Sequence, residues 1–185
     1  MTGIVVCANG LPHVTARCLQ AVHDHTPGRF RLYLFDGVPW RDLTRMWQRG
    51  AELALADGCQ YVVFLNNDTA VFPGWLAPLV DSARHLQHCA IGPVSNAPGT
   101  ELAQLGCPGQ AKAWEAVARI NGFCWAVRTD RLAQMPLDVG NDAFLGAEHH
   151  WQDRATAQWG PPAIARHSYV YHWKGTTRAY VVGAP

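Results

Sequence analysis

Short, nearly unbroken apolar runs alternate along this chain with longer stretches in which apolar residues recur every three or four positions. Ile4 to Ala8, Arg31 to Phe35 and Tyr61 to Leu65 predict strands, the last with no polar interruption and so buried on both faces. Helical spacing predicts helices from about Val14 to Asp24 and from about Asp42 to Ala56, the second carried by Leu43, Met46, Trp47, Leu53 and Ala54. Pro73 suits the first turn of another helix, with Trp75, Leu76, Leu79 and Val80 as its apolar contacts. Ala90 to Val94 and Phe123 to Val127 read as further strands. A polar, Trp-bearing helix from about Gly146 to Trp159 precedes a strand from Ala163 to Tyr171, and the chain reads as loop from Lys174 onward.

Strand-helix alternation at this spacing predicts right-handed βαβ units and a mainly parallel sheet. Such sheets bind ligands outside the carboxyl ends of their strands. Polar residues fall at those ends: Asn9 after the first strand, Asp36 after the second, Asn66-Asn67-Asp68 after the third. The three tips are expected to converge on one crevice.

Composition narrows the class. A length of 185 residues fits one domain with a proper core, at roughly 100–200 residues per domain. Aromatic content with a net charge of only +1 excludes a disordered chain. No apolar run approaches the ~18 residues of a membrane span. The N-terminus lacks a basic segment followed by a full apolar one, which predicts a cytoplasmic protein. Lys+Arg 15 against Asp+Glu 14 provides no electrostatic footprint for sequence-independent nucleic-acid binding.

Six cysteines, none in a Cys-x-x-Cys pair and several inside apolar runs, predict reduced thiols. The histidines show no zinc motif. His85 and His88 are spaced to share a helical face, while His149 and His150 diverge. His172 fits the crevice at its strand end, and His167 faces the other way. Of the tryptophans, Trp47, Trp75, Trp114 and Trp159 are expected in the core, and Trp40, Trp125, Trp151 and Trp173 nearer the crevice.

Tyr61 to Thr69 is the most informative segment. A buried strand ending in a short acidic tip holds a carboxylate rigidly at the sheet edge, and a divalent ion bridging two phosphates needs such hard oxygen ligands. Asp68 equally suits a turn before Pro73. Both readings stand on these residues alone.

Leu65-Asn66-Asn67-Asp68-Thr69, followed by Gly74-Trp75-Leu76, resembles the Asp-x-Asp region of GT-A glycosyltransferases, especially the family 2 type. The resemblance extends over roughly residues 4 to 178. Asp36-Gly37 is similar to the acidic loop that contacts the donor's base, and Gln48-Arg49-Gly50 to the Asn-x-Gly element. Asn121-Gly122-Phe123 through Arg128-Thr129-Asp130 resembles the Gly-containing strand running into Arg-x-Asp. Gly146 through Gly160 resembles the Gly-Glu-Asp-x-Asp…Arg…Gly helix, and Tyr169 to His172 the late strand ending in histidine, with Gly175 and Thr177 beyond it.

The resemblance implies an α/β, Rossmann-like GT-A fold, mainly parallel and flanked by helices, as one domain over 1–178 with a tail over 179–185. It implies a metal-dependent, inverting transfer of a sugar from a nucleotide-sugar, most plausibly a UDP-sugar, to an acceptor hydroxyl. Asn9, Asp36, Arg49, Asn66, Asn67 and Asp68 would contact the sugar donor. Asp68 and His172 would hold Mn2+ or Mg2+, and Gly122, Trp151 and Trp173 would meet the acceptor. In the late helix, Ala147-Glu148 stands where Glu-Asp is usual and His150 where the second Asp is usual. Glu148 is thus the expected base, with His149 and His150 as alternatives. The acceptor stays open among glycan, protein, small metabolite, lipid and modified nucleic-acid base. A partner subunit, as in a homo-oligomer, is one way to complete its site.

Two other classes compete. A nucleotidyltransferase would carry a Gly-rich, basic phosphate loop after the first strand, and Ala8-Asn9-Gly10-Leu11-Pro12 is not one. A non-catalytic nucleotide-sugar-binding module accords with the thinned acidic motif.

Overall fold

The structure, a computed structural model, describes residues 1–8, 10–37, 42–84, 87–107, 109, 112–137 and 146–174. Its N-terminal part alternates as the apolar pattern predicts: β1 (Thr2–Cys7), α1 (Pro12–His25), β2 (Phe30–Phe35), α2 (Leu43–Ala56) and β3 (Tyr61–Asn66). There follow β4 (Thr69–Val71), α3 (Leu76–Arg84), β5 (Ile91–Val94), a single 3-10 turn at Leu102–Gln104, β6 (Trp114–Ala116), β7 (Cys124–Arg128), α4 (Thr129–Gln134), α5 (Ala147–Trp159) and β8 (Ala163–His172).

The eight strands form one sheet in the order β2-β1-β3-β7-β5-β8-β4, with β6 also pairing β8. β1, β2, β3, β5 and β8 run one way, and β4, β6 and β7 run the other. The sheet is therefore mostly parallel, with β7 inserted antiparallel between β3 and β5. That reversal brings the start of β7 beside the end of β3, where Leu65 pairs with Cys124.

Two-residue alternation along the strands divides the core. Ile4, Val6, Val63 and Leu65 pack with Cys18 and Val22 of α1 and Leu79 and Ala83 of α3. Val5, Val62, Phe64, Trp125 and Val127 pack on the other face with Trp47 and Ala51 of α2, Leu132 of α4 and Trp151 and Ala155 of α5. Gly50 lets α2 lie close on β1: a Cβ there would fall 2.6 Å from both Val5 methyls.

Several expectations change. β4, β6 and α4 are three, three and six residues long, too short to show a period. The helix expected from Pro73 starts at Leu76, because Gly74 takes φ 81° and the Trp75 N–H closes a turn on the Phe72 carbonyl. His88 lies beyond α3 and is buried, its Nδ1 on the Pro161 carbonyl at 2.9 Å; His85 falls outside the described residues.

Candidate functional site

Phe35, Cys7 and Asn66 stand side by side at the carboxyl ends of β2, β1 and β3. The tips after β2 and β3 thus share one sheet edge, as expected; Asn9 and Trp40 lie outside the described residues. Asp36 is exposed there, its Oδ1 accepting from the Gly37 N–H at 2.9 Å. Arg49 is elsewhere: it sits on the outer face of α2 and pairs with Glu52 at 3.3 Å, while Gln48 accepts from the Leu137 N–H at 3.1 Å.

The turn after β3 is closed locally. Thr69 donates its hydroxyl to the Asn66 carbonyl at 2.6 Å, and the buried Asn67 amide donates to Thr15 Oγ1 of α1 at 2.9 Å. These bonds leave Asp68 fixed in place, with its side chain only 8% exposed. Its Oδ1 lies 3.4 Å from His172 Nε2 at the end of β8, and its carbonyl accepts from the Trp173 N–H.

His172 is held on every side. Its ring stacks on Phe123 (centroids 5.2 Å apart, planes at 14°), and its Nδ1 lies 2.8 Å from the Ala97 carbonyl. The Asn96 amide grips its backbone, accepting from the N–H at 2.8 Å and donating to the carbonyl at 3.2 Å. A carbonyl only accepts, so Nδ1 carries a proton and Nε2 is the ring nitrogen that faces the Asp68 carboxylate. The pair can close as an ion pair through an Nε2 proton, and a divalent cation replacing that proton would meet one oxygen and one nitrogen ligand.

The segment 120–122, ahead of β7, belongs to no regular element, yet each of its three backbone N–H groups donates to a side chain. Gln152 of α5 accepts from the Ile120 N–H and donates to the Ile120 carbonyl, both at 2.9 Å. Gln104 accepts from the Asn121 N–H at 2.7 Å, and Glu148 Oε1 accepts from the Gly122 N–H at 3.2 Å. Glu148 and Gln152 are one helical turn apart, so α5 grips this segment along a single stripe. The result is a carboxylate held over Gly122, next to the Phe123 that supports His172.

His149 Nε2 lies between Glu101 and Glu148, 3.8 and 3.9 Å from their Oε1 atoms, and makes no hydrogen bond. His150 is exposed. Trp151 cannot meet an acceptor: it is fully buried, donates Nε1 to the Met135 carbonyl at 2.6 Å and packs on Trp125 and Trp159. Trp125 is buried as well, and Trp114, expected in the core, is exposed on the short strand β6. Trp173 is half-buried and follows His172 directly.

Among the described residues no three His, Cys, Asp or Glu side chains gather in a way that would hold a metal ion. Asp68 and His172 are a pair, and a pair fits an ion that keeps its other positions for phosphate oxygens and water. The Nδ1 bond to Ala97 also fixes the tautomer such a ligand needs. A separate cavity of about 400 Å³, lined by Gly58 to Tyr61 and Arg128 to Asp130, opens at the far end of β3 and touches none of these groups.

No family profile matches the sequence, and no curated protein matches it. Solved structures do. A structure of GalNAc-T7 with UDP, GalNAc and Mn2+ superposes with a TM-score of 0.67 at 12% identity, covering 93% of this chain and 43% of that one. A structure of S. aureus TarS 1-349 in complex with UDP superposes equally well, at 0.67 and 8% identity, covering 97% of this chain and 62% of that one. The chain therefore has the GT-A fold, and spans less than two thirds of each of these chains.

Proposed function

We propose that this chain transfers a sugar from a UDP-sugar to an acceptor hydroxyl, as a compact catalytic domain over residues 1–178. The observation that carries the reading is the Asp68–His172 pair, set at the carboxyl edge of a GT-A sheet with Oδ1 3.4 Å from Nε2 and the Nδ1 side of the ring held by the Ala97 carbonyl. Both matched structures are complexes with UDP, and one also contains Mn2+.

Asp68 and His172 would hold Mn2+ or Mg2+. Bound there, the ion supplies positive charge to the departing diphosphate. Asp36, at the tip of β2, accepts from the uracil N3–H. Glu148 takes the proton of the acceptor hydroxyl as its oxygen forms the new bond to the anomeric carbon, while the carbon–oxygen bond to UDP breaks with its electrons. Attack from the face opposite UDP makes the transfer inverting. Asn67 holds the turn from behind, and Arg49 has no part in this reading. No helix among the described residues is long and apolar enough to cross a membrane. Buried free thiols suit a reducing, cytoplasmic setting.

Release of UDP from a panel of UDP-sugars, with and without Mn2+, tests the proposal. Mn2+-dependent release that is lost in Asp68→Ala is expected. Tight UDP-sugar binding with no turnover on any acceptor would turn the reading to a binding module, and unchanged affinity in Asp68→Ala would remove the site.

A further inference from the structure

Beyond the Asp68–His172 pair, aromatic residues recur at alternate positions along the end of β8 and just past it, Tyr169, Tyr171 and Trp173, each half-buried. Phe72, just past the end of β4, joins them: it is 43% exposed and its ring centroid lies 5.7 Å from that of Tyr169. Tyr171 and Trp173 meet edge to face at 5.3 Å. The residues between point the other way, with Val170 fully buried and His172 stacked on Phe123. Tyr169 packs toward the same face of the sheet as α5, the helix that carries Glu148.

Residues two apart on a strand are separated by about 7 Å, so the row from Tyr169 to Trp173 is about 13 Å long. It ends at the site: the Trp173 N–H donates to the Asp68 carbonyl, and Thr69 pairs with His172 across β4 and β8.

We propose that Phe72, Tyr169, Tyr171 and Trp173 form the binding track for a saccharide acceptor several units long, an inference that rests on the glycosyltransferase reading. The chemistry selects the occupant. A pyranose has a flat C–H face and a rim of hydroxyls; aromatic rings with polar tips match both, the faces by stacking and the tips by hydrogen bonds. None of the four side chains is charged at neutral pH, which suits a neutral sugar surface. A lone sugar would cover one ring, whereas a row starting at the metal ligand and leading away from it serves a chain.

Affinity electrophoresis in gels containing soluble neutral polysaccharides, β-glucan and galactomannan among them, tests the track directly. Retardation by at least one is expected. Phe72→Ala and Tyr171→Ala should each weaken it about fivefold to tenfold, with unchanged melting temperature and unchanged affinity for UDP with Mn2+. With oligosaccharides of that polysaccharide as acceptors, KM should fall with chain length in the wild type and flatten in both variants. Intact UDP binding with no retardation by any polysaccharide, or full retention in both variants, overturns the track and leaves the glycosyltransferase reading standing. Loss of UDP binding in the wild type condemns that reading instead, while the gels still decide the track. A dimer in sedimentation that dissociates in Tyr171→Ala would assign the row to a second copy and overturn the proposal.

Discussion

The Gly122 N–H donates to Glu148 Oε1 at 3.2 Å, and the carboxylate lies so close that a Cβ on this glycine would fall 2.9 Å from its Cδ and Oε1. The same Cβ would meet the Trp47 ring at 3.1 Å, so it cannot be relieved on that side. Gly122→Ala must push Glu148 aside. A shift of about 1 Å in a reacting group can cost about a hundredfold in rate. Gly122→Ala is therefore expected to lower kcat by about that factor while leaving UDP affinity intact, because Asp68 and His172 are held by other residues. Single-turnover kinetics beside calorimetric UDP titration would show the split; equal losses in both would mean the strand had moved as a whole.

The three candidates for the base separate by position. Glu148→Gln keeps the shape and the Gly122 bond but removes the proton acceptor, and should cost about 10²–10⁴ in kcat. His149→Gln should cost about tenfold at most, through the loss of a group between Glu101 and Glu148. His150 is exposed, and His150→Gln should be silent. Comparing kcat for the three variants decides the order, and a silent Glu148→Gln would reject the assignment.

Asn96 meets His172 through backbone groups, yet it sets where the imidazole stands. Outer partners of metal ligands typically contribute about 10–100-fold to affinity. Asn96→Ala should raise the Mn2+ concentration for half-maximal UDP binding by about tenfold with both proposed ligands present. Saturating Mn2+ should restore the wild-type UDP affinity; no recovery would mean that Asn96 supports the fold rather than the ligand.

Burial governs the thiols. It pushes Cys7 up to about 12 and Cys18 and Cys89 up to about 11, against 9.0 for a free thiol, and raises Cys124 as well. Above pH 9 the unfolded chain releases these protons while the folded chain keeps them. Stability should thus be unaffected by these groups below pH 9 and fall as pH rises from 9 toward 11, by about 1.4 kcal/mol per pH unit for each thiol. Urea midpoints across that range check the slope, and Cys89→Ala should make it shallower. Thiol reagents at neutral pH should find Cys107 first, the one exposed cysteine.

The strands that build the edge are legible because each is a compact apolar run, and Asp36, Asp68 and His172 are legible because they follow such runs. What escaped has a common cause. Asn96, Gln104 and Gln152 act on backbone groups far along the chain, and no local pattern marks a glutamine whose amide will be buried against Ile120. The same blindness misplaced Trp151. On a helix as polar as α5 a tryptophan looks outward, but the narrow buried stripe holds Trp151, Gln152 and Ala155 together, with Gln152 satisfied by the segment it grips. Trp114 erred the other way, since a three-residue edge strand has little to cover it.

One peptide link, between Gly122 and Phe123, joins two tasks: the first residue carries the amide under Glu148 and the second the ring under His172. The two residues serve opposite faces of the sheet, Gly122 under α5 and Phe123 in the core with α1 and α3, so a slip of one position would disrupt both. Lengthening or shortening the connection ahead of residue 120 alters only a loop, whereas one inserted or deleted codon between 121 and 124 would separate base from metal ligand at a stroke. Descendants of this chain can therefore change length freely on one side of that link and scarcely at all within it.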